Sequence, residues 1–217
     1  MKILFIGNSH TYYNELPRMV KELFASVGRR AETVMQTEGG KGIIFHCERK
    51  DILYNVRHGD YDAIIMQDKA SHFNAEEFAQ GVDTLAEKGL SRTDARRIFY
   101  MPWAIRSAPE EQGPMTAAYL AAAEKHGVEM APVGEIWHAI LRKTPELTEA
   151  LYRPDGNHAT PLGSYLAACT LFYVLTGRVR PLQPKDDDAL ITRLELEGEI
   201  CRRFHREICR GLRDFRR

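Results

Sequence analysis

Residues 2–11 read KILFIGNSHT, a short apolar run that ends in an abrupt polar turn. The run over residues 2–6 consists of apolar, β-prone side chains, which is typical of a buried parallel strand. Gly7 and Asn8 interrupt it, and the hydroxyl of Ser9 follows directly. Open α/β sheets bind their ligands beside the carboxyl ends of their strands. The stretch therefore predicts a first strand that carries Ser9 to the mouth of a crevice.

Apolar runs and amphipathic stretches then alternate along the chain. Further runs typical of strands occupy residues 32–37, 62–67, 97–103 and 128–133. Between the strands, apolar residues recur at helical spacing over residues 15–27, 45–56, 75–88 and 115–126. Strict alternation of strand and helix predicts a parallel sheet with right-handed crossovers and helices on both faces.

Three further helices are predicted beyond the fifth strand. They cover residues 135–142, residues 161–176 and a long polar stretch at about 187–215. Arginines in the last stretch alternate with carboxylates, which favours a solvated face, with a partner or dimer surface as the alternative. The 217 residues contain no internal repeat, low-complexity tract or linker, so the whole chain is expected to form one domain.

Composition favours an ordinary water-soluble protein, with 44% hydrophobic and 28% charged residues. The net charge of zero argues against nucleic acid or an acidic membrane as the main partner. No stretch approaches the roughly 18 apolar residues of a membrane helix, and no secretory signal pattern is present. The four cysteines form no C-x-x-C pair, which indicates reduced thiols. We therefore expect a cytoplasmic protein without nucleic-acid or membrane partners, and a homo-oligomer is compatible with this interpretation.

An acid and a base stand three residues apart in Asp155-Gly156-Asn157-His158. Ester hydrolysis by a serine needs a nucleophile, a base, a group that orients the base, and donors for the oxyanion. Ser9 suits the first role, and His158 suits the second because imidazole titrates near neutral pH. Taken singly, a serine after a strand is commonly a helix N-cap, and Asp-Gly-Asn is commonly a turn. Gly-x-Ser-x-Gly is absent because residue 11 is Thr, so this is not a nucleophile elbow.

Together the two blocks resemble the SGNH hydrolases, also called GDSL esterases. Ile-Gly-Asn-Ser-His-Thr is similar to the family's nucleophile block, and Asp-Gly-Asn-His to its Asp-x-x-His block. The resemblance spans residues 2 to about 176 and implies a flavodoxin-like α/β/α sandwich with a five-stranded parallel sheet. It also implies that Ser9, His158 and Asp155 are catalytic, and that neither a cofactor nor a metal is needed.

The resemblance further implies an oxyanion hole built from three blocks. The N–H of Ser9 is one donor, and Gly39-Gly40-Lys41-Gly42 matches the family's glycine block, which assigns a second donor to Gly40 with Gly39 as the neighbouring alternative. The third block, Gly-x-Asn-Asp in the family, is replaced by residues 66–72, MQDKASH. A Gln amide can donate an N–H as Asn does, so Gln67 is the predicted third donor, with a structural amide as the alternative. Asn8 also replaces the family's usual Asp.

Four side chains near these blocks are predicted to bind substrate. Tyr12 follows the nucleophile, Asp68 and His72 follow the third strand, and Trp103 ends the fourth strand. The face of an indole suits a sugar ring, and a position in the core is the alternative for both Trp103 and Tyr12.

The sequence thus predicts a metal-independent serine esterase that acts on small acyl esters, including O-acetyl groups on carbohydrates. The carbohydrate expectation depends on Gln67, because certain acetylesterase branches of the family carry a Gln at that strand end. Three alternatives stand beside it. One is a flavodoxin-like ligand-binding module without catalysis, and another is a lipase- or thioesterase-type acyl hydrolase. The third is a metal-dependent hydrolase that uses His10, His46, His72 or Asp68.

Overall fold

A computed structural model describes residues 1–183 and 185–215 of the chain. Five strands form one all-parallel sheet in the order β2-β1-β3-β4-β5. The strands are β1 (Lys2–Gly7), β2 (Glu32–Thr37), β3 (Ala63–Met66), β4 (Arg96–Tyr100) and β5 (Glu129–Ala131). The predicted fold class, a flavodoxin-like α/β/α arrangement around a five-stranded parallel sheet, is confirmed.

Helices connect the strands and cover both faces of the sheet. The first six are α1 (Ser9–Tyr12), α2 (Leu16–Ser26), α3 (Ile43–His46), α4 (Lys50–His58), α5 (Ala75–Lys88) and α6 (Gln112–His126). The others are α7 (Val133–Lys143), α8 (Thr148–Leu151), α9 (Pro161–Thr176), α10 (Asp188–Arg193) and α11 (Gly198–Phe215). Among the described residues, none of these helices has the length and apolar character that a bilayer span requires.

Alternating side chains of β1 supply the two cores. Ile3 and Phe5 pack with apolar residues of α2, α7, α9 and α11, whereas Leu4 and Ile6 pack with residues of α4, α5 and α6. Successive side chains of a strand point to opposite faces of the sheet. A strand that is covered on both faces therefore reads as a continuous apolar run, as β1 does.

The single long helix predicted at about 187–215 is wrong. Two helices, α10 and α11, occupy this segment, and Glu195 between them has a φ of +54°. A left-handed residue ends a right-handed helix and redirects the chain. The break allows Ile191 of α10 and Phe204 of α11 both to pack into the same core. Likewise, the helix predicted at 45–56 is divided into α3 and α4.

The four cysteines are buried and free of disulfide bonds: Cys47, Cys169, Cys201 and Cys209. Burial raises the pKa of each of these thiols. They are consequently protonated, and they act as small apolar groups in the two cores.

Candidate active site

The candidate site begins where β1 ends. Asn8 caps α1, because its side-chain Oδ1 accepts a hydrogen bond of 3.1 Å from the N–H of His10. Ser9 is therefore the first residue of a short helix, and its N–H has no carbonyl acceptor within that helix. The cap thus sets both the hydroxyl and the backbone N–H of Ser9 at the carboxyl end of the sheet.

The loop before α9 brings an imidazole and a carboxylate to Ser9. Ser9 Oγ lies 2.8 Å from Nε2 of His158. Nδ1 of the same ring lies 2.7 Å from Oδ2 of Asp155. Asp155 Oδ1 also accepts the N–H groups of Asn157 and His158, both at 2.9 Å. The structure brings the three predicted side chains together as a continuous chain from carboxylate through imidazole to hydroxyl.

The ionisation of Asp155 follows from these contacts. Partial burial favours its neutral form, but hydrogen bonds from the Asn157 N–H, the His158 ring and the His158 N–H outweigh burial and lower the pKa to about 2. Because the carboxylate faces Nδ1 of His158, that nitrogen carries the ring hydrogen. Nε2 is then left with a lone pair that can accept the hydrogen of the Ser9 hydroxyl.

A pocket of about 270 Å³ opens above Ser9 and His158. Its walls include Tyr12, which was predicted to bind substrate, together with Gly40 and Lys69. A larger cavity, of about 600 Å³, lies at the amino ends of the strands and contains none of the predicted site residues. Ligands of open α/β sheets bind at the carboxyl ends, so the pocket at Ser9 is the candidate site.

Three of the predicted substrate-binding residues do not line this pocket. Trp103 is fully buried behind it and stacks on Trp137, with ring centroids 4.1 Å apart. Asp68 is buried, and its Oδ2 accepts the N–H of Ile43, at 2.6 Å, at the start of α3. His72 is exposed on a turn, with a φ of +54°. In each case the side chain follows a strand end, where the strand's alternation no longer determines its direction.

The Gln67 amide is also directed away from the pocket. Its Oε1 accepts the N–H of Asn8 at 3.0 Å and the hydroxyl of Thr11 at 2.8 Å. Its Nε2 donates to Oδ1 of Asn8 at 3.0 Å and to the carbonyl of Asp68. Both amide hydrogens are used inside the protein, and the side chain is fully buried. This geometry disagrees with the interpretation of Gln67 as an oxyanion donor and makes it a support for Asn8.

Asn8 connects this amide to the glycine loop. Its Nδ2 donates to the carbonyl oxygen of Lys41 at 2.9 Å. An ionised Asp at this position would have no hydrogen to donate to the Lys41 carbonyl, so the contact depends on the amide of Asn8. Gly40 in the same loop has a φ of +69°, and a Cβ added there would have no other atom within 4 Å. The left-handed backbone conformation, and not a lack of space, therefore favours glycine at this position.

Replacing Gln67 with alanine should therefore reduce the stability of the folded protein. The buried N–H of Asn8 would lose its acceptor, and one such group costs about 1–3 kcal/mol. We expect the free energy of unfolding, measured by urea denaturation, to fall by about 1–3 kcal/mol. The control Gln80→Ala, at an exposed position of α5, should change it by less than about 0.5 kcal/mol. A Gln67→Ala variant with wild-type stability and lost turnover would instead support a direct catalytic donor.

Two histidines are buried near the carboxyl end of β1. Nε2 of His10 lies 3.2 Å from the carbonyl oxygen of Asn157, and Nε2 of His46 lies 2.9 Å from that of Gly7. A carbonyl only accepts, so each ring donates its Nε2–H. Burial lowers the pKa of both histidines to about 4, and the charge of His158 contributes further in the case of His10.

Acid should destabilise the protein between about pH 6.5 and about pH 4. An unfolded histidine binds a proton below about pH 6.5, whereas folded His46 binds one only near its pKa of about 4. The unfolded state binds more protons in this window, so the free energy of unfolding decreases as the pH is lowered. Each such histidine contributes a decrease of about 1.4 kcal/mol per pH unit. Urea denaturation at several pH values should show a shallower slope for His46→Gln. The exposed His58→Gln should keep the wild-type slope, and a wild-type slope in His46→Gln would contradict the prediction.

The residues named for a metal-dependent mechanism do not converge. His10 and His46 each bind a backbone carbonyl, and Asp68 binds backbone N–H groups. Over residues 1–183 and 185–215, no three His, Cys, Asp or Glu side chains lie close enough together to hold a metal ion. The described side chains therefore give this alternative no geometric support.

No protein-family model matches the sequence, and neither does any curated protein. Solved structures do match. A DUF4886 family protein from Bacteroides uniformis aligns with a TM-score of 0.71 at 18% identity, over 91% of this chain and 97% of that chain. The acetylxylan esterase Axe2 from Geobacillus stearothermophilus aligns with a TM-score of 0.67 at 14% identity, over 80% and 93% respectively. The esterase EstA from a Pseudoalteromonas species gives 0.62 at 10% identity, over 81% and 97%.

The chain has the SGNH hydrolase fold. At sequence identities of 10–18%, the structural similarity establishes the architecture of this chain. Esterase activity is a property of Axe2 and EstA. The SGNH fold explains why residues from opposite parts of the sequence meet, because the end of β1 and the loop before α9 lie at the same edge of the sheet. Sequence reasoning did not single out the contacts of His10 and Asn157, although the position of His10 directly after Ser9 was a usable signal.

Proposed function

We propose that the protein is a serine esterase that hydrolyses small acyl esters through an acyl-Ser9 intermediate. The observation that carries the proposal is the hydrogen-bonded chain from Asp155 through His158 to Ser9, with distances of 2.7 and 2.8 Å, at a pocket. A hydroxyl that donates to a base, which is itself oriented by a carboxylate, is the arrangement expected of an activated nucleophile. The solved esterases with the same fold support the choice of ester substrates.

In the first half of the reaction, Ser9 Oγ forms a bond to the ester carbonyl carbon while its proton passes to Nε2 of His158. The bond between that carbon and the alcohol oxygen then breaks, and the alcohol leaves with the proton from His158. Asp155 keeps the ring in the orientation and tautomer that this transfer needs, and it stabilises the imidazolium.

In the second half, a water molecule attacks the acyl carbon and gives one proton to Nε2 of His158. The bond to Ser9 Oγ breaks, the oxygen recovers that proton, and the carboxylic acid is released. The N–H groups of Ser9 and Gly40 are the proposed donors to the oxyanion in both halves. The contact of Asn8 with the Lys41 carbonyl holds the glycine loop that carries Gly40.

The pocket favours short acyl groups. Its volume of about 270 Å³ lies at the lower end of small-molecule sites, which span about 300–1,000 Å³. Part of a long acyl chain of the lipase type would lie outside this volume and stay exposed to solvent. We therefore propose acetyl and similar short esters as substrates, including O-acetyl groups on carbohydrates, which two acetylxylan esterases among the structural neighbours support.

A panel of p-nitrophenyl esters from acetyl to dodecanoyl, together with acetylated sugars, tests this proposal. We expect the highest kcat/KM for acetyl or propionyl esters, and no loss of activity after treatment with a chelator. Maximal activity on the long chains would support the lipase-type alternative. Activity that is lost on chelation and restored by metal would support the metal-dependent one. Absence of hydrolysis throughout the panel, with no labelling by a fluorophosphonate, would favour a binding module.

A further inference from the structure

The imidazole of His10 lies inside the protein, directly beside the proposed base. Its ring centroid is 5.3 Å from that of His158 and 5.0 Å from that of Trp103. Its Nε2–H donates to the carbonyl of Asn157 at 3.2 Å, and the indole N–H of Trp103 donates to the same oxygen at 2.9 Å. His10 therefore links the helix that begins with Ser9 to the loop that carries His158.

This link and the bond between Ser9 and His158 behave differently during the proposed reaction. Once Ser9 is acylated, its Oγ has no hydrogen, so the hydrogen bond of 2.8 Å to His158 is absent until the acyl group leaves. The hydrogen bond from His10 to Asn157 involves no reacting atom, so neither chemical step breaks it. It therefore connects α1 to the His158 loop at the stage when the nucleophile cannot.

The environment of His10 suits a fixed, uncharged donor. The side chain is 4% exposed, and the hydroxyl of Tyr100 donates to its backbone carbonyl at 3.2 Å. Among the charged groups around its ring, His158 disfavours a second positive charge and Asp155 favours one, but burial dominates and lowers its pKa to about 4. His10 is thus neutral at neutral pH, and His158 alone takes up the transferred proton.

We propose that His10 is a positioning residue that keeps His158 in place in the acyl-enzyme, when Ser9 no longer holds it. The inference rests on the proposed esterase function. It predicts unequal effects on the two steps of the reaction. Acylation begins with His158 hydrogen-bonded to Ser9, whereas deacylation begins without this bond. Loss of the His10 donor should therefore slow deacylation more than acylation.

Pre-steady-state hydrolysis of p-nitrophenyl acetate separates the two steps. His10→Phe keeps an aromatic ring and removes the donor, whereas His10→Gln retains an N–H. For His10→Phe we expect kcat to fall about tenfold, the effect of one buried hydrogen bond, while kcat/KM for this activated ester changes less than about threefold. KM should fall with kcat, and acyl-Ser9 should accumulate in the burst. His10→Gln should restore kcat to within about threefold of wild type.

Trp103→Phe provides a second variant, because it removes the other donor to the same carbonyl. If His10→Phe does not fold, the same selective loss of kcat is expected in Trp103→Phe. The inference is overturned if kcat is unchanged in the folded variants, or if kcat and kcat/KM fall equally. The proposed function is judged separately, by the burst of the wild type and its loss in Ser9→Ala. A wild type with no burst and no turnover would reject both.

Discussion

Replacing Ser9 with alanine should lower kcat for short acyl esters by about 10⁶-fold, the effect seen when an activated serine is removed from a triad. The methyl group of alanine cannot attack a carbonyl carbon, so no acyl-enzyme forms. The remaining N–H groups of the pocket still bind substrate and contribute a residual rate enhancement. Steady-state kinetics with p-nitrophenyl acetate measures the loss, and a fluorophosphonate probe followed by mass spectrometry should label Ser9 in the wild type alone.

The Ser9→Ala variant should stay folded, because the side chain it shortens bonds only to His158 in the described structure. Its melting temperature should therefore lie close to that of the wild type. Ser107→Ala, at an exposed position, is the matched control and should keep full activity. Equal labelling of the wild type and Ser9→Ala by the probe would show that another residue is the nucleophile.

Replacing Asp155 with asparagine should lower kcat at neutral pH by about 10⁴-fold, as expected for a triad whose base is held in the wrong tautomer. An asparagine amide can turn its NH₂ group toward Nδ1 of His158, which then becomes an acceptor. The ring hydrogen moves to Nε2, and Nε2 can no longer accept the hydrogen of Ser9. The expected loss of kcat comes from the changed position of the His158 ring hydrogen, because the amide has nearly the same shape as the carboxylate.

Steady-state kinetics at several pH values measures the loss of kcat in Asp155→Asn. The control is Asp94→Asn, at an exposed position. The pKa of Asp155 is about 2 in the folded protein, below the value of about 3.9 expected when unfolded. Its ionised form is therefore fully present at neutral pH, and its contribution to stability is lost only as the pH falls toward 2. An Asp155→Asn variant that keeps more than about a tenth of the wild-type kcat would contradict the assigned role.

Helix boundaries were predictable where the chain carries its own stop and start signals. The helix α9 occupies the predicted residues because Thr160 caps it through the N–H of Gly163, and Gly177 ends it with a φ of +66°. The break between α10 and α11 has a weaker local signal, the single glycine at position 198 where α11 begins. The charged pattern continues at helical spacing through Glu195, and only packing of both helices against one core requires the turn.

The same distinction applies to the site. The spacing of Asp155 and His158 on one turn, and the position of Ser9 at a strand end, are local features that a sequence displays. The direction of the Gln67 amide depends on partners such as Asn8, which is 59 residues away in the chain. Trp103 belongs to an apolar run that continues beyond β4, and its burial against Trp137 is settled only by tertiary packing.

The hydrogen bond between Ser9 and His158 joins residues that are 149 positions apart in the chain. The proposed hydrolysis would therefore report on the assembly of nearly the whole fold, because a shift of α9 or of the loop before it separates the proposed base from the proposed nucleophile. Far-ultraviolet circular dichroism, which reports the peptide conformation of each helix, is blind to such a shift. Residual activity during slow denaturation is thus a finer probe of the native sheet and its loops than the spectrum of the helices.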